Sequence, residues 1–337
     1  MHLFGKDLDR DIAVVAEIGV NHEGNVDIAE RLVEMAAEAG ADAVKLQTYS
    51  PERLVAANDT ERLTRAGRFR LDEDAHRRLL ACAERRGVAL FSTAVTEDTV
   101  PFLAGMFPAI KIASGDLDFE PVVRAALRTG KAVIVSTGNG TVDDIDQLVG
   151  WCREELGVNV NERVVLMHCV SSYPTPVDQA NVRSVPFLRD RYGMVTGYSN
   201  HVVETEAVLA AVALGAQVIE VHFTDCKSGR EFRDHALSLE PADLAALIAS
   251  AKRVRASLGH FGKRPQPCEE ATRLAIRKGI VAARDLAAGT LLSDVDVMYA
   301  RPATEFRASE RSQVVGYVLT QHLKRGETVP RAAISKA

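Results

Sequence analysis

The chain has 337 residues, of which 47% are hydrophobic, and its 41 basic and 46 acidic residues give a formal net charge of -5. This length exceeds the roughly 250 residues of one barrel domain, so we expect a large core and a second, smaller domain. Basic residues are dispersed, which excludes general attraction to nucleic acid. The five cysteines lie far apart, which argues against a disulfide framework, and no stretch approaches the ~18 apolar residues of a membrane helix. We therefore expect a cytoplasmic protein that binds neither nucleic acid nor membranes.

Eight short apolar segments have the length and composition of buried β-strands. They are residues 13–19, 43–49, 89–95, 109–114, 132–137, 164–170, 194–199 and 217–223. Segments with helical periodicity alternate with them, at residues 26–39, 74–86, 141–156, 202–214 and 241–258. Glycine follows several of these helices and is typical of a helix C-terminus, at Gly40, Gly87, Gly130, Gly157 and Gly215. Eight such units without a GxGxxG motif after the first strand favour a (β/α)8 TIM barrel over an open doubly wound sheet.

Each apolar segment ends on polar or charged side chains. In chain order these are Glu17, Lys45 with Gln47, Thr93, Lys111 with Ser114, Ser136 with Thr137, His168, Ser199 with His201, and Glu220 with His222. The C-terminal ends of barrel strands open on one face, where barrel enzymes place their chemistry. The pattern therefore predicts one site that gathers these side chains.

The pattern changes after the last predicted helix. Residues 259–275 contain Gly, Pro and Lys without periodicity, which indicates a linker, and residues 276–337 contain short, turn-rich segments typical of a small β-rich domain. We therefore predict a catalytic barrel over residues 1–258, a linker over 259–275 and a β-rich domain over 276–337.

Several motifs resemble the N-acetylneuraminate (sialic acid) synthase family. The sequence contains AEIGVNHEGN from Ala16, GADAVKLQTY from Gly40, FSTAV from Phe91, KIASGDL from Lys111, VSTGNGT from Val135, HCVSSYPTP from His168, GYSNH from Gly197, EVHFT from Glu220 and DHALSLEP from Asp234. In the C-terminal region, RPATEF from Arg301 and the turns around Gly289 and Gly326 resemble the SAF, or antifreeze-like, domain of these enzymes. The resemblance covers nearly the whole chain.

The resemblance implies a condensation of phosphoenolpyruvate (PEP) with an open-chain N-acyl hexosamine, with release of phosphate. It also implies a divalent cation, Mn²⁺ or Mg²⁺, and a domain-swapped homodimer in which the SAF domain of one subunit closes over the barrel of the other. Glu17, Lys45, Lys111 and Glu220 are our candidate catalytic residues.

The same resemblance assigns candidate ligands to the remaining polar positions. His201 and His222, which end neighbouring strands, match metal ligands, and two imidazoles with open positions suit a Lewis acid. A phosphate and carboxylate need fixed cations and donors, and the candidate substrate-binding residues are Asn21, Gln47, Thr93, Ser114, Asp116, Ser136, Gly138, Ser171, Tyr173, Ser199, Asp234 and Arg301. Arg301 resembles an arginine that reaches across the dimer to the sugar.

Some residues depart from the family pattern. The chain has Ala94-Val95 where many members have Pro-Phe, Ser171 and Ser172 near a common asparagine, and a charged loop over residues 55–70. The acceptor therefore stays open among N-acetylmannosamine, a 2,4-diacetamido sugar and a 6-phosphorylated sugar. Two other classes also stay open: a pyruvate-dependent Schiff-base aldolase that uses a barrel lysine, and a non-enzymatic carbohydrate- or ice-binding protein.

Overall fold

The computed structural model describes residues 1–336, and the chain forms two compact units. The first unit comprises Met1–Gly259 and the second begins at His260. Each has its own cluster of buried apolar side chains. The predicted domain limits at residues 258 and 275 stay a prediction.

The first unit is a closed barrel of eight parallel strands. A short hairpin of β1 (His2–Leu3) and β2 (Lys6–Asp7) precedes it. The barrel strands are β3 (Ala13–Gly19), β4 (Ala43–Thr48), β5 (Ala89–Ala94), β6 (Ala109–Ile112), β7 (Ala132–Ser136), β8 (Val164–His168), β9 (Val195–Asn200) and β10 (Val218–His222). They pair in chain order, and β10 pairs with β3 to close the ring. The predicted TIM barrel is thus confirmed. The sequence reveals its strands because parallel strands buried on both faces consist of continuous apolar runs.

Helices follow the barrel strands. They are α1 (Val26–Glu38), α2 (Pro51–Leu54), α3 (Thr60–Phe69), α4 (Glu73–Arg86), α5 (Val100–Met106), α6 (Glu120–Arg128), α7 (Val142–Leu156), α8 (Val160–Arg163), α9 (Ser184–Tyr192), α10 (Glu206–Ala213), α11 (Asp234–Leu237) and α12 (Pro241–Ser257). Asn25 caps α1 by accepting from the backbone of Asp27 and Ile28, and Thr141 forms a capping box at α7. Gly87 ends α4 at φ 69°, a conformation that favours glycine. No helix of residues 1–336 combines the length and apolar content needed to cross a bilayer.

Helix α3 lies within residues 55–70, where the sequence predicts a charged loop. Asp59 caps its first turn by accepting a hydrogen bond from the Arg62 backbone. The helix buries only Ala66 and Phe69, which join a small apolar cluster with Val20 and Tyr49. Because the apolar stripe of α3 is this narrow, charged residues dominate the segment and its helical periodicity is not evident in the sequence.

The second unit is small and rich in short strands, as predicted. β11 (Gly279–Ala282) pairs with β12 (Val297–Ala300), and β13 (Tyr317–Leu319) pairs with β14 (Ile334–Lys336), both antiparallel. A short helix, α13 (Glu270–Arg273), precedes them. Ile280, Phe306 and Leu319 belong to its apolar core.

Candidate active site

Four ionisable side chains meet inside the barrel at the C-terminal ends of its strands. Lys45 Nζ lies 2.8 Å from Glu17 Oε2 and 3.5 Å from Glu220 Oε1, and Lys111 Nζ lies 3.8 Å from Glu220 Oε2. All four side chains belong to residues that are at most 5% exposed. Two ammonium groups therefore balance two carboxylates in a buried cluster. The structure brings the four candidate catalytic residues together.

Hydroxyl groups complete the surroundings of both lysines. Lys45 donates to Thr93 Oγ1 at 3.2 Å, and Lys111 donates to Ser136 Oγ at 2.6 Å. Thr93 pairs in register with Lys111 on the neighbouring strand, so these side chains follow one another around the ring. Each ammonium group has a neutral partner in addition to its carboxylate.

The two carboxylates are also held by neutral donors. Gln47 donates to Glu17 Oε1 at 2.9 Å, and Ser199 donates to Glu220 Oε1 at 3.2 Å. Gln47 and Ser199 thus contact the cluster, and their candidate role at a substrate stays a prediction. A buried carboxylate requires such partners because its unpaired burial is costly.

Burial and mutual attraction divide the pKa values of the cluster. Burial raises the pKa of Glu17 despite the attraction of Lys45. Burial alone would raise the pKa of Glu220 as well, but Lys111 and Lys45 outweigh it and lower that pKa. Burial lowers the pKa of Lys111, whereas Glu17 and Glu220 overcome burial and raise the pKa of Lys45. Glu220 is therefore the more acidic of the two carboxylates, and Lys111 is the more easily deprotonated of the two lysines.

Two imidazoles lie next to each other at the barrel mouth. The ring centroids of His201 and His222 are 5.4 Å apart, which is compatible with both rings reaching one ion. His201 Nδ1 lies 2.6 Å from the Val170 carbonyl oxygen, which can only accept, so Nδ1 carries the proton and Nε2 keeps its lone pair. Burial lowers the pKa of His201 to about 4 and lowers that of His222 as well. Both rings are therefore neutral near pH 7, the form in which histidine binds metals.

A second polar cluster joins the loops that follow β6, β7 and β8. The Gly138 backbone donates to Ser114 Oγ at 3.0 Å, and Ser114 Oγ lies 3.1 Å from Cys169 Sγ. A Cβ atom at Gly138 would stand 2.4 Å from Ser171 Oγ, so only glycine permits this approach. Sequence analysis missed Cys169, and its position directly after β8 was the available indication.

Asn21 and Asp234 are linked through Ser238. Asn21 Nδ2 donates to Phe223 O at 2.9 Å and to Ser238 Oγ at 3.0 Å, and Ser238 Oγ donates to the Asp234 carbonyl oxygen at 2.6 Å. Asn21 therefore fixes the loops after β3 and β10. Asp116, in a 3₁₀ turn after β6, is partly buried, and burial raises its pKa to about 6.

Tyr173 lies between the imidazoles and an arginine that sequence analysis missed. Its ring centroid is 4.2 Å from that of His201 and 6.1 Å from that of His222. The Arg233 guanidinium carbon stands 4.9 Å from the same ring. The indication in the sequence was a basic residue immediately before Asp234.

The remaining predicted positions have plainer surroundings. Arg301 belongs to the second unit, where it follows β12 and is exposed, and its reach to a sugar stays a prediction. His168, which ends β8, lies 2.9 Å from the carbonyl oxygen of Ala180 through Nε2 and is stacked on Tyr198. It therefore stabilises the barrel wall.

Comparison with known families places these observations in context. Residues 32–263 match the NeuB family, and residues 277–334 match the SAF domain. The chain belongs to the NeuB family. The predicted family resemblance is confirmed across both units.

Relatives of this NeuB-family chain are acid synthases. It is 30% identical to the N,N'-diacetyllegionaminic acid synthase of Campylobacter jejuni over 94% of this chain and 98% of the relative. It is also 30% identical to the human N-acetylneuraminate-9-phosphate synthase, over 83% and 80% of the two chains. A solved N-acetylneuraminic acid synthetase from Leptospira borgpetersenii, in complex with citrate, superposes with a TM-score of 0.74 at 30% identity, over 78% of this chain and 90% of that one. The chain is an enzyme of the N-acetylneuraminate synthase type, and the non-enzymatic interpretation is wrong.

Proposed function

We propose that this NeuB-family enzyme condenses PEP with an open-chain N-acyl hexosamine to give a nonulosonic acid and inorganic phosphate. The observation that carries the proposal is the buried set of two lysines and two carboxylates beside a pair of neutral imidazoles. The relatives named as legionaminic acid and N-acetylneuraminate-9-phosphate synthases support the same product class.

Lys45 and Lys111 are the groups that we assign to the phosphate and carboxylate of PEP. Their ammonium groups are fixed by neighbours, so little reorganisation is needed when an anion arrives. Ser136 ends β7 and Ser114 follows the neighbouring β6, and both supply hydroxyl donors. A lysine in a buried, preorganised site binds an anion more strongly than one at the surface.

His201 and His222 are the residues that would hold the divalent cation. Within residues 1–336, no group of three or more His, Cys, Asp or Glu side chains is arranged to hold a metal ion. The neutral rings and the bond from His201 to Val170 fit such a ligand set. A divalent cation held there would supply Lewis-acid polarisation, which makes the acceptor's aldehyde carbon a better electrophile.

The reaction forms one carbon–carbon bond and releases one phosphate. C3 of PEP attacks the aldehyde carbon, water adds to C2, and the bond from C2 to the phosphate oxygen breaks. The added water loses both protons as its oxygen becomes the C2 carbonyl; the aldehyde oxygen gains one proton and the released phosphate gains the other. Glu17, whose pKa burial raises, is our candidate for holding and moving a proton, while the ionised Glu220 keeps both lysines in place.

A direct assay tests this function. The purified chain is incubated with PEP and Mn²⁺ across a panel containing N-acetylmannosamine, its 6-phosphate and 2,4-diacetamido sugars, and PEP consumption is followed with a mass spectrum of the product. We expect PEP consumption that requires both metal and sugar. Consumption in the absence of sugar, or none with any member of the panel, would contradict the proposal.

One observation favours the aldolase alternative. Burial lowers the pKa of Lys111, and a lysine with a lowered pKa is a better nucleophile toward a carbonyl group. Borohydride added with pyruvate would trap a Schiff base as a stable adduct on Lys111. We expect no adduct, because the 2.6 Å bond to Ser136 and the nearby Glu220 suit an anion-binding ammonium group.

We also propose a cytoplasmic, domain-swapped homodimer in which Arg301 reaches the sugar of the partner subunit. The SAF match and the family resemblance support this arrangement. Mixing His222→Ala subunits with Arg301→Ala subunits tests it, because in a swapped heterodimer the barrel of the Arg301→Ala subunit receives an intact Arg301 and its sugar KM falls toward the parent value. A sugar KM that stays at the Arg301→Ala value in the mixture would contradict the swap.

A further inference from the structure

Arg233 has a guanidinium group that is held on two sides and open on a third. Its carbon lies 4.9 Å from the centre of the Tyr173 ring, and its Nε donates to Asp234 Oδ1 at 3.0 Å. The side chain is 65% exposed, and no residue within 1–336 accepts a hydrogen bond from its two terminal nitrogens. An arginine stacked on an aromatic ring with its terminal nitrogens free suits bidentate binding of an oxyanion.

The segment around Arg233 is anchored at several points. Phe232 packs edge-on against Phe69 of α3 at 5.4 Å, and Arg230 makes bonds of 2.8 and 2.9 Å to the Asp225 carboxylate. These contacts fix the chain immediately before Arg233. Arg233 therefore pays little additional ordering entropy when it binds a ligand.

Arg233 lies close to the place where the acceptor would react. Because the Tyr173 ring is 4.9 Å from the guanidinium and 4.2 Å from the His201 ring, the guanidinium lies at most about 9 Å from that imidazole. An extended six-carbon sugar that carries a terminal phosphate spans roughly 9 Å from the aldehyde carbon to phosphorus, at about 1.3 Å for each of the roughly seven bonds along the chain. The far end of an acceptor whose aldehyde sits near the imidazoles can thus reach Arg233.

We propose that Arg233 is a specificity-determining residue that binds a phosphate or carboxylate at the far end of the acceptor sugar. This inference rests on the proposed function and narrows its substrate class to acidic N-acyl hexosamines. Lys45 and Lys111 are not available for that group, because they lie at the floor of the site, paired with Glu17 and Glu220. Arg233 is a cation at the rim whose terminal nitrogens are free.

Three acceptors test the inference: N-acetylmannosamine, its 6-phosphate and its 6-carboxylate, the uronic acid. PEP consumption is measured for the parent chain and for Arg233→Ala. We expect the parent kcat/KM to be about tenfold or more higher for one or both anionic sugars than for the neutral one. Arg233→Ala should remove that preference while the KM for PEP stays within about twofold. Comparison of the phosphate and carboxylate then identifies the group that is recognised.

Two variants make the result specific. Arg233→Lys keeps the charge but loses the fork of donors, so it should retain only part of the preference. Arg10→Ala removes an exposed arginine at the opposite, N-terminal end of the β3 strand and should keep the parent preference.

An equal loss of kcat/KM on all three acceptors in Arg233→Ala would show that Arg233 only positions Tyr173. A preference of the parent chain for the neutral sugar would also overturn the inference. In both cases PEP is still consumed with sugar, so the proposed function survives.

Discussion

The two units of the chain use buried charge in opposite ways. The barrel unit buries Glu17, Lys45, Lys111 and Glu220 together at one end of its strands. Among residues 260–336, the one buried charged side chain is Asp296, which accepts from Arg284 and Ser293 in a turn. Buried ion pairs rarely stabilise a fold more than apolar side chains of similar size. Stability therefore does not account for the four buried charges of the barrel, whereas the second unit depends on an apolar core.

Removing an imidazole from the barrel unit should have the largest effect on activity. His222→Ala should reduce metal-dependent turnover by about 100- to 1000-fold, because a Lewis acid contributes several kcal/mol to the transition state. The melting temperature should change little, because the ring has no structural hydrogen bond. His76→Gln is the matched control, since His76 is a buried histidine that bonds to Thr48 and Asp72 instead. Activity of His222→Ala within about threefold of the parent would remove His222 from the proposed ligands.

The shared carboxylate offers the next test. Glu220→Gln should lower kcat/KM by about 100-fold or more, because both lysines lose a partner that fixes them. It should also lower the unfolding free energy by about 3–5 kcal/mol, since Lys111 would remain buried without a carboxylate. Ser199→Ala removes only a hydrogen bond to Glu220 and should cost about 1 kcal/mol. If Glu220→Gln and Ser199→Ala give equal urea-unfolding curves, pairing of the buried charges does not control the stability of the barrel.

The pH dependence of stability sharpens the contrast within the barrel. Burial raises the pKa of Glu17 above 4.5, so the folded state binds a proton more tightly than the unfolded state. Its contribution to stability is complete below pH 4.5 and is lost as pH rises through the folded pKa. Glu17→Gln should therefore flatten the decline in unfolding free energy above pH 4.5. Urea unfolding across a pH series measures this slope, and Glu120→Gln, on an exposed helix surface, should leave the slope as in the parent.

The smallest expected effect belongs to the second unit. Arg301→Ala should raise the KM for the sugar by about fivefold and leave the KM for PEP unchanged, because its proposed contact is with the acceptor alone. Arg325→Ala, which also removes an exposed arginine of this unit, should change neither constant. An equal increase in both KM values for Arg301→Ala would contradict its role over the sugar.

The sequence predicted the strand ends well, because their positions follow from a general rule of barrel architecture. Glu17, Lys45 and Lys111 were found on that basis. The sharing of Glu220 by two lysines could not be predicted, since it depends on how side chains from β4, β6 and β10 cross the barrel interior. Arg233 was also missed, because its importance comes from a stack on Tyr173, 60 positions earlier in the chain.

Closure of the ring has a consequence for synthesis of the protein. His222 on the last strand pairs in register with Glu17 on the first, so the lysines at the centre acquire Glu220 only when β10 is in place. A nascent polypeptide from which β10 has not yet emerged at the ribosome lacks Glu220 and His222. It therefore has neither all four buried charges nor both imidazoles. Under the proposed function such a chain lacks the complete substrate site, so ligands cannot assist the earlier steps of its folding.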